Sequence, residues 1–136
     1  MVNVTHKYGK NAGKIWNALN ENGSLTERSL KRKTGLNGED LYAGLGWLAK
    51  ENKITIEDNY FSLGDNNWDE TIGKNAGKVW DLLSCCEEID TTYVPKLADI
   101  SELDFYYAMG WLAKEGKINA KKVKPPKSIT KIERKY

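Results

Sequence analysis

The chain has 136 residues, of which 40% are hydrophobic, 29% charged and 10% aromatic, a composition that excludes collagen-like and disordered classes. Its longest apolar stretch, Leu41 to Ala49, is broken by glycines and falls far short of the ~20 residues of a membrane span, and MVNVTHKYGKN lacks the apolar core of a secretory signal. A cytoplasmic protein with no membrane contact is expected. The formal net charge is only +2.

In chain order, Asn11 to Asn20 places Ala12, Ile15, Trp16 and Leu19 at the spacing of one buried helical face, which predicts a first helix. Leu25 is then a short extended residue, and Thr26 caps a second helix, Glu27 to Lys33. Thr34-Gly35 closes it, glycine suiting the left-handed position after a helix. Asn37 is expected to cap a third helix with Asp40 at its third position, and Leu41, Gly44, Leu45 and Leu48 form its inner stripe to about Glu51. Lys53 to Glu57 and Tyr60 to Leu63 are β-branched and aromatic runs around Asp58-Asn59, which predicts a hairpin.

The same order then repeats. GKNAGKIW at Gly9 to Trp16 recurs as GKNAGKVW at Gly73 to Trp80, and GWLAKENKI at Gly46 to Ile54 recurs as GWLAKEGKI at Gly110 to Ile118, both at an offset of 64. Across Gly9 to Ile54 the two copies align without a gap and share 18 of 46 residues. In the second copy Asn75 to Leu83 reads as the first helix, and a longer hairpin, Lys117 to Val123 with Ser128 to Ile132, carries KPPK at its tip. Residues 1–66 and 67–136 are therefore expected to be two small domains, each within the size that folds alone.

Helix, short strand, helix, turn, helix, hairpin is the order of a winged helix-turn-helix domain, so the expected fold class is α+β, mainly α, in two tandem copies. GKNAGKIW and GWLAKENKI resemble a family of small bacterial and archaeal winged helix-turn-helix proteins whose function is not established. The resemblance implies the fold. Nucleic-acid binding follows only by analogy with other proteins of that fold.

GKNAGK is not a phosphate loop, because three residues separate Gly9 from Gly13 and Lys14 precedes Ile15 rather than Ser or Thr. Gly13 and Ala12 are instead expected to allow close helix approach. No enzyme is in view: His6 lies in the N-terminal segment outside the repeat, and the carboxylates are scattered over positions read as solvent-facing. Adjacent cysteines, Cys85 and Cys86, argue against an ordinary disulfide, and with a single histidine they leave too few soft ligands for structural zinc. No catalytic residue, cofactor, metal or small-molecule substrate is expected.

Charge is unevenly distributed. Residues 1 to 64 carry net +2, residues 65 to 115 net −7 and residues 116 to 136 net +7. In the first copy Arg28, Lys31, Arg32 and Lys33 gather on the second helix, and in the second copy the hairpin carries Lys121, Lys122, Lys124 and Lys127. Both are candidate phosphate contacts of the salt-sensitive, sequence-independent kind. The third helix, which would enter a major groove, opens instead on Glu39 and Asp40, and its counterpart on Glu102 and Asp104. Tyr42, Trp47, Tyr106, Tyr107 and Trp111 make this helix apolar on several sides, with Gly46 and Gly110 beside the tryptophans, so the two copies are expected to pack on each other as an intrachain pseudo-dimer. The favoured function is non-catalytic binding of nucleic acid, double-stranded DNA above all, in a transcription- or chromatin-associated role. The alternative is a protein–protein adaptor built on tandem winged helices.

Overall fold

The computed structural model describes residues 4–65, 69–84, 89–121 and 131–134. Its first half runs α1 (Val4–Asn22), β1 (Leu25–Thr26), α2 (Glu27–Thr34), α3 (Glu39–Lys50), β2 (Ile54–Glu57) and β3 (Tyr60–Leu63). The second repeats the order as α4 (Asp69–Ser84), β4 (Ile89–Asp90), α5 (Val94–Ala98), α6 (Glu102–Lys114), β5 (Ile118–Lys121) and β6 (Lys131–Arg134). Each half closes a three-stranded antiparallel sheet, ordered β1-β3-β2 and β4-β6-β5. An α+β, mainly helical fold in two tandem winged copies is thus the architecture.

Local chemistry accounts for the boundaries. Thr26 caps α2 by accepting a hydrogen bond from the Ser29 N–H at 3.2 Å, and Gly35 ends it at φ 75° with its N–H donating to the Lys31 carbonyl. Asp58 and Asn59, at φ 51° and 67°, make the left-handed pair that a two-residue hairpin requires. Ser101 caps α6 by accepting from the Asp104 N–H at 3.0 Å.

Several expectations are corrected. α1 begins at Val4, so GKNAGK lies inside a helix and His6 sits on its first turn rather than in a loose terminus. Asn37 is not the cap of α3; Gly38 holds that position at φ 54°, a conformation open to glycine, and no side chain caps the helix. Trp16 is 37% exposed, because Ile15, Ala12 and Leu19 take the core-facing arc and leave the adjacent residue at its edge. Gly13 meets nothing within 4 Å; Gly9 is the glycine against which a neighbour packs. Cys85-Cys86 and KPPK lie outside the described residues.

The cores are exchanged between halves. Tyr8 of α1 is fully buried in the cluster built from Val79, Phe105, Met109 and Leu112, while Ile72, its equivalent on α4, is buried among Ile15, Leu41, Leu45 and Leu48. Each repeat thus completes the other's apolar interior. Burial of an aliphatic side chain such as Ile72 is worth about 1.5–3 kcal/mol and ties the halves together, whereas the Tyr8 hydroxyl is buried with no hydrogen-bond partner among the described residues, which offsets part of the gain from its ring.

Candidate nucleic-acid interface

The contact between repeats is centred on α3 and α6, and it obeys the offset of 64 almost pair by pair. A Cβ on Gly46 would overlap the Tyr107 carbonyl, and a Cβ on Gly110 would overlap the Ala43 carbonyl, so the two helices meet backbone to backbone at equivalent points. Lys50 lies 4.8 Å over the Trp111 ring and Lys114 lies 5.3 Å over Trp47. Lys50 pairs with Glu115 at 3.7 Å, and Lys114 with Glu51 at 3.8 Å. On the pseudo-two-fold itself Tyr42 stacks on Tyr106 at 6.3 Å and meets Tyr107 edge-on at 5.8 Å. This is the geometry of a self-complementary dimer written into one chain.

All five aromatics singled out from the sequence therefore converge on α3 and α6. Trp47 and Trp111 are half-buried, each packed on a glycine of its own repeat (Gly9 or Gly73, 3.0 Å from a Cβ placed there) and covered by a lysine of the other. Burial raises the Tyr42 hydroxyl to about 12, with a hydrogen bond to Glu27 as the next cause. Tyr106 is raised further, first by burial and then by its 2.7 Å hydrogen bond to Glu102, and Tyr107 is raised by burial above all.

For nucleic-acid recognition the consequence is steric. Leu41, Ala43, Gly44, Leu45, Gly46, Leu48 and Ala49 of α3 are buried, and the other repeat occupies the face a recognition helix would present. Its acidic first turn is engaged as well, Lys7 of α1 reaching Asp40 at 3.1 Å and Glu39 at 3.7 Å. α6 is likewise buried along its middle, at Phe105, Ala108, Met109, Gly110, Leu112 and Ala113, while Glu102 and Leu103 of its first turn stay exposed.

The basic residues lie elsewhere. Arg28, Arg32 and Lys33 are exposed on α2; Lys31 is half-buried, 5.6 Å over the Tyr42 ring and 4.0 Å from Glu27. Lys31, Arg32 and Lys33 occupy the last turn, where cations favour the helix dipole whatever else they do. Lys14 of α1 joins Lys33 in lining an open cleft of about 410 Å³, a basic neighbour that sequence reasoning passed over. At the equivalent positions the second copy has Thr92, in the turn before α5, and Pro95, Lys96 and Leu97 within α5, so the basic face of α2 has no counterpart there. In the second wing the register sets Lys121 opposite Lys131 across β5 and β6. Lys122, Lys124 and Lys127 lie outside the described residues.

The winged helix-turn-helix domain family DUF2582 matches the chain twice, at residues 4–63 and 65–131. The protein belongs to that family. No curated protein and no solved structure matches it. As a DUF2582 protein it carries a fold whose general associations are DNA binding and non-catalytic function. Among the described residues of this DUF2582 chain no helix is long and apolar enough to cross a membrane.

Proposed function

We propose that the protein binds nucleic acid, double-stranded DNA foremost, through phosphate contacts made by Arg28, Lys31, Arg32 and Lys33 of α2 and by Lys121, Lys122, Lys124 and Lys127 of the second wing. The protein is non-catalytic in this reading and acts in a transcription- or chromatin-associated setting. The observation that carries it is the division of surfaces: α3 and α6 are consumed by each other, while Arg28, Arg32 and Lys33 of α2 stay exposed and only Lys31 reaches that contact, over the Tyr42 ring. Phosphates are met by long cationic side chains, and base edges are not reached, so affinity without sequence preference follows. Retardation of random-sequence duplex DNA at low and at moderate salt tests the proposal. Binding at low salt that weakens with salt and falls on charge reversal at Lys121, Lys122, Lys124 and Lys127 is the expected outcome; no retardation at low salt refutes it.

The adaptor reading also has an observation in its favour. Trp16, Trp47, Trp80 and Trp111 keep part of their surface in solvent after the repeats have packed together.

A further inference from the structure

Two open grooves, of about 350 and 190 Å³, run between α1 and α3 and between α4 and α6. Eight of the nine residues lining the first stand at positions that also line the second, and all eight are identical in the two copies. The cores have drifted at some positions: Ile15, Leu30, Leu41 and Leu45 correspond to Val79, Val94, Phe105 and Met109. Among the eight, Ala12 and Leu48 with Ala76 and Leu112 are buried and agree as the core pairs Leu19/Leu83 and Ile54/Ile118 do, so the positions left to explain are those that face solvent.

Internal contacts explain part of this agreement. Gly9 and Gly73 must be small to admit Trp47 and Trp111. Gly13 and Gly77 have no such reason: each sits mid-helix, exposed, with nothing within 4 Å of a Cβ. Glycine there costs helix stability relative to alanine, and that cost is borne in both copies, one turn from Trp16 and Trp80. An outside group approaching the helix backbone would account for it. Around each groove the charge is positive. Glu51 is outnumbered by Lys53 at 3.6 Å and Lys114 at 3.8 Å, and Glu115 by Lys117 at 3.5 Å and Lys50 at 3.7 Å. Exposed Lys10, Lys14, Lys74 and Lys78 follow the groove glycines on the adjoining stripe of each helix.

We propose that the grooves are paired docking sites for acidic peptide segments of another protein, each seating an aliphatic side chain over Gly13 or Gly77 and setting its carboxylates against the lysine rim. Charge complementarity selects an acidic occupant. A peptide suits the groove better than a nucleobase, because Trp47, Trp80 and Trp111 each already carry a lysine ammonium over the ring. A helix-interior glycine, its N–H spent within the helix, also offers phosphate no donor. The pseudo-two-fold presents two related sites, the larger at α1 and α3, so a partner with two such segments gains by avidity. The inference supplies a site for the adaptor reading and is independent of the nucleic-acid proposal.

A display library of random short peptides, selected on the full chain, tests it. Enriched sequences should be acidic with one or two aliphatic anchors, and a selected peptide should bind with two equivalents per chain. Gly13→Leu should remove one equivalent and Gly13→Leu with Gly77→Leu both, with the melting temperature kept or raised and duplex DNA binding unaltered. Failure to enrich, enrichment of basic peptides, peptide binding that survives the double variant, displacement by oligothymidylate, or a fall in melting temperature on filling the glycines would each overturn it.

Discussion

Ile15 and Gly44 in the first repeat correspond to Val79 and Ala108 in the second, and the structure explains the exchange atom for atom. A Cβ added at Gly44 would lie 2.7 Å from Ile15 Cδ1, well inside the ~3.5–4.0 Å of an apolar contact. Valine lacks that terminal carbon, so in the second repeat Ala108 fills the place where Ile15 Cδ1 sits in the first, and Val79 and Ala108 are both fully buried. Gly44→Ala alone sets an overpacking cost of about 1–3 kcal/mol against a helix gain of about 0.5–1 kcal/mol. Ile15→Val alone costs about 0.5–1.5 kcal/mol for the void it opens. Made together they reproduce the second repeat, and the pair should be as stable as the parent or more so, with a coupling energy of about 1–2 kcal/mol. Urea unfolding of the four proteins measures it, an unchanged slope showing that the denatured state is the same. Additivity within ~0.5 kcal/mol would refute the steric account.

Gly46→Ala and Gly110→Ala should each cost about 3 kcal/mol or more in urea unfolding, since the atoms they strike are main-chain carbonyls that cannot rotate aside. Trp16→Ala should cost about 1–3 kcal/mol rather than the ~3–5 kcal/mol of a fully buried tryptophan, because 37% of its surface already meets water; a loss at the upper figure would mean that α1 is rotated. Stability should be fully present below pH 10 and decline as pH rises towards 12, because burial holds Tyr8, Tyr42, Tyr106 and Tyr107 protonated in the fold while the unfolded chain releases those protons from about 10 upward. Melting temperature against pH, followed with tyrosinate absorbance, checks this; a flat profile would contradict the burial of these rings.

Most of the element order was legible because it rests on local chemistry: the Thr26 cap, Gly35 at the end of α2, the Asp58-Asn59 turn and the short β1. The α3–α6 contact was also foreshadowed, Gly46 and Gly110 standing beside tryptophans on a helix apolar all round. What periodicity could not convey is which core a side chain enters. Tyr8 continues the stripe of Ala12, Ile15 and Leu19 and could have extended α1 towards its start, yet nothing local states that Tyr8 enters the other repeat's interior. Trp16 failed for a related reason: two neighbouring large residues cannot both face inward, and the arc shared with Ala12 and Leu19 favours Ile15. The grooves went unseen because their signal lies in comparing identity with exposure, and exposure needs the fold.

The affinity of random and of single-sequence duplexes as a function of salt, for the parent and for charge reversal at Arg28, Lys31, Arg32 and Lys33, tests the nucleic-acid reading most directly. With α3 and α6 sealed against each other, affinity should fall steeply with salt and be equal for all sequences. The reversed protein should show a shallower slope, by about 0.9 for each phosphate contact removed. A marked preference for one sequence, or a slope indifferent to these four residues, would show that DNA is read by some other surface.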